Sequence, residues 1–521
     1  MRRAVLKDDA FRVLGVIVAS AIGCAIARAE TVQDIVEHVR SAQGSAPLER
    51  GRAIHLKGAG QFLGNEATID LVFDDEGRSV LERTAAVPNI SGFDGKESWT
   101  LDLGGEVRRT SLGEQESVLF GANVISGWWF SAASGMEFSL DESRADPGAA
   151  TLGFSHDRGR ATGSVTIDRA TWRATRWTLD LGAQEFTWEL SGALEVAGRT
   201  FPSSVRLKSN GGFDSTIEFV SGAAERVEDT RFSMPSGAEG SHRFDPALPA
   251  ALEIKKAPTG HLLVRGSFDG GEAGWFIFDT GAGMNCIDTG LIEARGYRKV
   301  GEVPAMGVGG SVSSPLVRPE SLRVGRLTLD HPLCVGLDLK GIAAYMGEPI
   351  MGIVGYNAIA CSIAEIDSST PRVSLLDPKS YVLERGQWTP MVVYERHPCF
   401  EGSIEGHKGM LKIDTGAGGK AGGALTVHAD AVERFGLLDG RETQEAKLGG
   451  VGGFVSARRG VLSVVEFGGT RHENIEATFA LENKAAFADP YVIGNVSGTM
   501  LAEYTLVLDY GNGRAALVRR E

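Results

Sequence analysis

Beyond its first thirty residues the chain has no apolar run long enough to cross a bilayer as a helix, which requires about 20 residues. It also has no dense stretch of Lys or Arg, and its net charge of −14 gives a phosphate backbone no basic surface, so nucleic acid is excluded as a partner. The ten histidines show neither an H-E-x-x-H pattern nor paired Cys/His spacing, so neither a metal nor a cofactor is expected. No G-x-S-x-G nucleophile elbow occurs. One glycine run, "GAGGKA" at 416–421, superficially matches a phosphate-binding loop, but Ala421 stands after Lys420 where Ser or Thr would hold a metal. Cysteine is scarce at five residues. In an oxidising compartment Cys286, Cys334, Cys361 and Cys399 could form any of three pairings, and the alternative is four buried thiols.

Glycine is abundant, with 69 residues, which suits many tight turns between short strands. Residues 1–29 read as a signal peptide. Arg2, Arg3, Lys7 and Arg12 precede the short apolar run "VLGVIVASAIGCAIA", and "ARA" at 27–29 fits a small-x-small cleavage site. The expected location is therefore periplasmic or secreted. Lipid attachment at Cys24 is the weaker reading, because Ala21 stands where such signals carry Leu.

The next region, 30–245, opens with "TVQDIVEHVRSAQG", whose apolar spacing predicts one amphipathic helix. Alternating segments such as "ATIDLVFDD", "ATWRATRWTLDL" and "STIEFVSG" then predict a long antiparallel meander. Trp99, Trp128, Trp129, Trp172, Trp177 and Trp188 all fall here. They suit a core between helix and sheet, or less favourably a lipid-holding face. The Gly-, Pro- and Ser-rich stretch 233–251 predicts a linker.

Residues 252–521 contain an internal duplication. Asp-Thr-Gly-Ala-Gly begins at Asp279 and again at Asp414; "GVGGSV" at 307–312 is matched by "GVGGFV" at 450–455; "IVG" ends at Gly355 and "VIG" at Gly494. Each half closes on Asp-x4-Arg-x2-Leu, through Asp367, Arg372 and Leu375 in one and Asp509, Arg514 and Leu517 in the other. Such order predicts two like halves, 252–383 and 384–521, about a pseudo-twofold axis. Equivalent strand ends then meet at the axis and bring Asp279 and Asp414 face to face. Two close carboxylates share one proton, so one acts as base and the other as acid toward a water held between them. Thr280 and Thr415 can hydrogen-bond across the axis, while Gly281 and Gly416 permit close backbone approach.

These doubled motifs resemble those of the retropepsin-like and pepsin-like aspartic proteases. The resemblance implies a mainly β, bilobal peptidase with Asp279 and Asp414 as the catalytic dyad, Thr280, Gly281, Thr415 and Gly416 supporting it, and no cofactor. It also implies hairpin flaps over an extended peptide or protein substrate, at Gly307, Val308, Gly309 and Gly310 and at Gly450, Val451, Gly452 and Gly453. With both lobes in one chain, a monomer is expected. Two departures are present: neither flap tip carries the Tyr of the pepsin pattern, and "GGKAGG" follows the second motif. Region 30–245 weakly resembles the periplasmic lipoprotein-carrier fold, which implies possible lipid contact there. The alternative to an active enzyme is a non-catalytic envelope protein that binds peptide or lipid on an inactive protease fold.

Overall fold

The computed structural model describes residues 30–44, 47–141, 144, 146–157, 160–182, 184–236, 241–417, 423–483 and 485–520. The expected signal peptide, Cys24 and most of "GGKAGG" lie outside these. The chain is mainly β, as the strand patterns predict, and no helix among the described residues is long and apolar enough to cross a membrane.

The N-terminal region forms a 13-stranded antiparallel sheet between Val107–Arg109 at one edge and Glu137–Leu140 at the other. The expected amphipathic helix is Val32–Gln43. Thr31 caps it by accepting from the Asp34 amide, Asp34 returns the bond, and Ile35, Val36 and Val39 are buried. The meander also contains a second helix, Leu112–Ser126, where the sequence reading had only one. Its sequence "LGEQESVLFGANVIS" lacks a one-sided apolar stripe because burial reaches several of its faces, so helical periodicity gave no signal. Phe120 on this helix packs against the rings of Trp129, Phe154, Trp177 and Trp188, with ring centroids 4.6–6.3 Å apart. The indoles of Trp99, Trp129, Trp177 and Trp188 are thus core, not an open apolar face.

The 233–251 stretch is not wholly loose. His242–Phe244 adds an edge strand to the first C-terminal half by pairing with Leu327–Asp330. The two halves repeat one pairing scheme. In the first, Gly274–Phe278 runs parallel to Ile350–Val354, which also pairs antiparallel with Cys286–Asp288. In the second, His407–Asp414 runs parallel to Val492–Ser497, which also pairs antiparallel with Leu425–Val427. The register corrects one motif alignment. Gly352 faces Phe276 and Gly494 faces Leu411, so Gly494 corresponds to Gly352, and Gly355 corresponds to Ser497.

The Asp-x4-Arg-x2-Leu motifs are hairpins that join the halves. Ile363–Asp367 pairs antiparallel with Tyr504–Asp509 at the centre of a shared five-stranded sheet. The acidic residue of each motif orders the turn after it: Asp367 Oδ1 accepts from the Ser369 and Thr370 amides, each at 3.0 Å, and Asp509 accepts from Asn512 and from Arg514 Nε, the latter at 2.8 Å. Cys286, Cys334, Cys361 and Cys399 are free and buried, so none of the three disulfide pairings forms. Burial pushes the Cys286 and Cys399 thiols up to about 12, which keeps them protonated and unreactive.

Candidate active site

Asp279 follows directly on the strand Gly274–Phe278, its amide still bonded to the Val354 carbonyl, and Asp414 ends the equivalent strand His407–Asp414. A chain leaving a buried strand must turn at once, and Thr-Gly-Ala makes both turns. The Asp279 carbonyl accepts from the Ala282 amide and the Asp414 carbonyl from the Ala417 amide. The threonines interlock across the axis. Each backbone amide donates to the other's hydroxyl at 3.0 Å, while Thr280 Oγ1 donates to the Ile413 carbonyl at 3.0 Å and Thr415 Oγ1 to the Phe278 carbonyl at 3.2 Å. Four reciprocal bonds between buried groups fix the two strand ends relative to each other.

The glycines are required by space. A Cβ on Gly281 would overlap the Asp414 carboxylate, and one on Gly416 would overlap that of Asp279. Each carboxylate therefore lies against the opposite half's glycine, and both residues are partly exposed. Gly281 N–H donates to Asp279 Oδ1 at 2.7 Å, and Ala417 N–H donates to Asp414 Oδ1 at 2.8 Å. Burial, then repulsion from Asp414, raises Asp279 to about 7, against the weaker opposing pull of the Gly281 and Gly416 amides and Lys412.

The pair is not symmetric. Asn495 Nδ2 donates to Asp414 Oδ2 at 3.4 Å, and Asn495 Oδ1 faces His428 Nε2 at 2.8 Å. At the corresponding place in the first half stands Ile353, which offers no polar atom. The sequence reading missed Asn495 because its signal is a difference between the repeats, visible only in the correct register. It also missed His261 and His397. His261 Nε2 lies 2.8 Å from the Gly416 carbonyl, and His397 Nε2 lies 2.9 Å from the Gly281 carbonyl. A recurring His-x4-Gly, His261/Gly266 and His397/Gly402, could have revealed them.

The predicted flap residues also come together. The hairpins Lys299–Met306/Ser311–Val317 and Gln444–Gly450/Gly453–Phe467 meet at their tips, where the Gly309 amide donates to the Val451 carbonyl at 3.0 Å. A Cβ on Gly307 would overlap Val451, and one on Gly309 would overlap Gly452, so the glycines allow the tips to touch. Val308 packs beside Leu448 and Val455 of the other hairpin. Gly450, where a Cβ would overlap Val308, and Gly453, at φ 117°, complete the second tip.

The first hairpin is tied to the N-terminal region by three hydrogen bonds: the Glu302 amide donates to the Leu63 carbonyl at 3.0 Å, Asn65 Nδ2 to the Val300 carbonyl at 2.9 Å, and Ser311 Oγ to the Gly211 carbonyl at 2.9 Å. Asn65→Ala should therefore speed amide exchange over 299–317 by roughly fivefold, for a lost bond of about 1 kcal/mol. Exchange over 444–467 should stay unchanged; hydrogen-exchange mass spectrometry reads both segments at once.

A family model described as an aspartyl protease matches residues 264–358, which include Asp279 and the first hairpin. No curated protein matches the chain. Among solved structures, a LolA superfamily protein from Nitrosomonas europaea is similar at a TM-score of 0.30 and 11% identity, covering 39% of this chain and 97% of that one. So slight a likeness carries no argument about the N-terminal sheet. The family match, falling on the strand and turn that present Asp279, places an aspartyl protease-like domain in this chain.

Proposed function

We propose that the protein is an aspartic endopeptidase whose catalytic dyad is Asp279 and Asp414, built by two lobes of one chain and acting as a monomer. The observation that carries the reading is the reciprocal interlock of Thr280 and Thr415, which sets two carboxylates against each other's glycine with one of them raised to about 7. Asn495 donates only to Asp414, so the shared proton is assigned to Asp279. A water between them gives a proton to Asp414 as its oxygen attacks the scissile carbonyl carbon, while Asp279 donates its proton to the carbonyl oxygen. Collapse of the resulting gem-diol breaks the C–N bond as the proton held on Asp414 passes to the leaving nitrogen and one gem-diol hydroxyl returns its proton to Asp279, which restores the starting state. The meeting hairpin tips would act as flaps over an extended peptide. Domains 30–245, 252–383 and 384–521, with export of the chain after residue 29, belong to the same proposal. The buried indoles of the N-terminal sheet favour this over a lipid-carrying, non-catalytic role.

A peptide-library digest across pH tests the reading. Cleavage should be blocked by statine-type transition-state mimics and left intact by chelators and serine-directed reagents. It should fall as pH rises through about 7, because Asp279 then loses the proton it must donate. Absence of cleavage at every pH, or cleavage that chelation stops, would contradict the proposal.

A further inference from the structure

Each lobe sends one histidine to the other lobe's dyad loop. His261 follows Gly260, whose φ of 94° closes the turn between the strands Ile254–Lys256 and Leu262–Phe268. His397 follows Arg396, whose φ of 68° closes the equivalent turn between Val392–Tyr394 and His397–Ile404. The two imidazoles thus leave equivalent hairpins and end on equivalent carbonyls, Gly416 and Gly281. A carbonyl can only accept, so Nε2 must carry the hydrogen in both rings. At His261 this leaves Nδ1 as an acceptor for the Thr259 hydroxyl, which sits 2.7 Å away. Burial holds His261 and His397 below the usual histidine range, so both remain neutral donors.

We propose that His261 and His397 are positioning residues of the dyad: each lends a neutral Nε2–H from one lobe to a glycine carbonyl of the other, and so sets the two glycine amides that hydrogen-bond Asp279. The inference rests on the reading of Asp279 and Asp414 as the dyad. Its logic is that the Gly281 amide donates to Asp279 Oδ1 at 2.7 Å and the Gly416 amide also acts on Asp279, while the peptide that follows Gly416, whose carbonyl His261 holds, donates through Ala417 N–H to Asp414 Oδ1 at 2.8 Å, so an imidazole on either glycine carbonyl restrains the loop that carries these donors. The charged and titratable groups around this unit are Asp414 and Lys412 facing Asp279, Lys412 and Arg396 facing His397, and Asp414 facing His261, with Cys286 and Tyr510 nearby. Losing a histidine donor frees the loop and weakens bonds to the ionised Asp279, so its pKa rises further.

The test compares His261→Leu and His397→Leu with His261→Gln and His397→Gln, since a Gln amide nitrogen can reach the place of Nε2. In the full-length protein, each Leu variant should lower kcat by about a hundredfold through misplacement of the reacting groups, with KM within about twofold of the parent. Each should also move the Asp279 carboxyl titration, followed by carbon-13 NMR, to higher pH. The Gln variants should restore both readings to near the parent values. If a Leu variant does not fold, the Asn variant at that position, whose amide falls short of the carbonyl, replaces it in the comparison with Gln. Folded Leu variants with unchanged titration and kcat would overturn the inference, as would Gln variants no better than Leu. The titration separates the two readings: a parent protein that cleaves nothing, but whose Asp279 titration still follows the histidines, loses the peptidase assignment and keeps the positioning one.

Discussion

Asp279→Asn and Asp414→Asn should each lower kcat by roughly four orders of magnitude or more, and the double variant should be hardly worse than either, because the two carboxylates share one proton and act as a unit. Neither change alters the Thr280–Thr415 interlock, so the lobes should assemble and still bind an extended peptide. Stability separates this result from simple unfolding, with a definite sign. The ordinary carboxylate value near 3.8 is raised to about 7 at Asp279, so the folded state prefers the protonated form. The parent is therefore penalised progressively as pH rises from about 4 to about 7, and Asn, which mimics the protonated acid, escapes that penalty. Asp279→Asn should match the parent in thermal unfolding near pH 4 and exceed it at pH 8. The difference between 3.8 and about 7, at about 1.4 kcal/mol per pH unit, sets roughly 4 kcal/mol as its upper bound. Substantial hydrolysis left in Asp414→Asn, in a preparation free of other proteases, would remove the two-carboxylate mechanism.

Gly281→Ala and Gly416→Ala should be nearly as damaging for a steric reason. The added methyl carbon would fall on the opposing carboxylate, and the loops cannot retreat while four threonine hydrogen bonds hold them. The strain is resolved by parting the strand ends, so these variants should lose about 1–3 kcal/mol of stability together with nearly all activity. Gly341→Ala is the control, because this glycine lies in the helix Lys340–Met346, away from both hairpin tips, and a Cβ there meets nothing within 4 Å. Urea titrations of the three proteins, read beside peptide turnover, check the ranking. A Gly281→Ala protein with full activity would show that the carboxylates do not sit where the glycines place them.

The meeting of Asp279 and Asp414 was legible in the sequence because the signal was duplicated. A buried strand that runs into Asp-Thr-Gly twice, in halves that also repeat a glycine hairpin, leaves few arrangements other than an axis between the carboxylates. The flap tips were legible for the same reason, since Gly307 to Gly310 and Gly450 to Gly453 permit a close approach that other residues forbid. Elements without a repeat or a period stayed hidden. The helix Leu112–Ser126 is buried on several faces and so has no stripe to detect. The three-residue slip between Gly355 and Gly494 came from matching short apolar strings, whereas the register is set by which residue lies opposite Phe276 and Leu411. His261 and His397 escaped notice because their repeat, a histidine five residues before a glycine, is short, and their partners are backbone carbonyls that any sequence could supply. The strand His242–Phe244 lay in a stretch whose Gly, Pro and Ser content masks a three-residue edge pairing.

Ile353 and Asn495 occupy equivalent positions beside the dyad, yet only one of them is polar. In an assembly of two identical subunits every substitution is written twice, and an Asn introduced beside one carboxylate appears beside the other as well. Which carboxylate holds the proton is then decided afresh by each bound substrate. A chain that encodes both halves separately is free of that constraint, because drift in one copy leaves the other untouched. The Ile353/Asn495 difference is thus an inherited left and right: on the proposed peptidase reading the two carboxylates are told apart before any peptide arrives, and the direction in which a peptide is bound would be chosen by the protein instead of by the peptide.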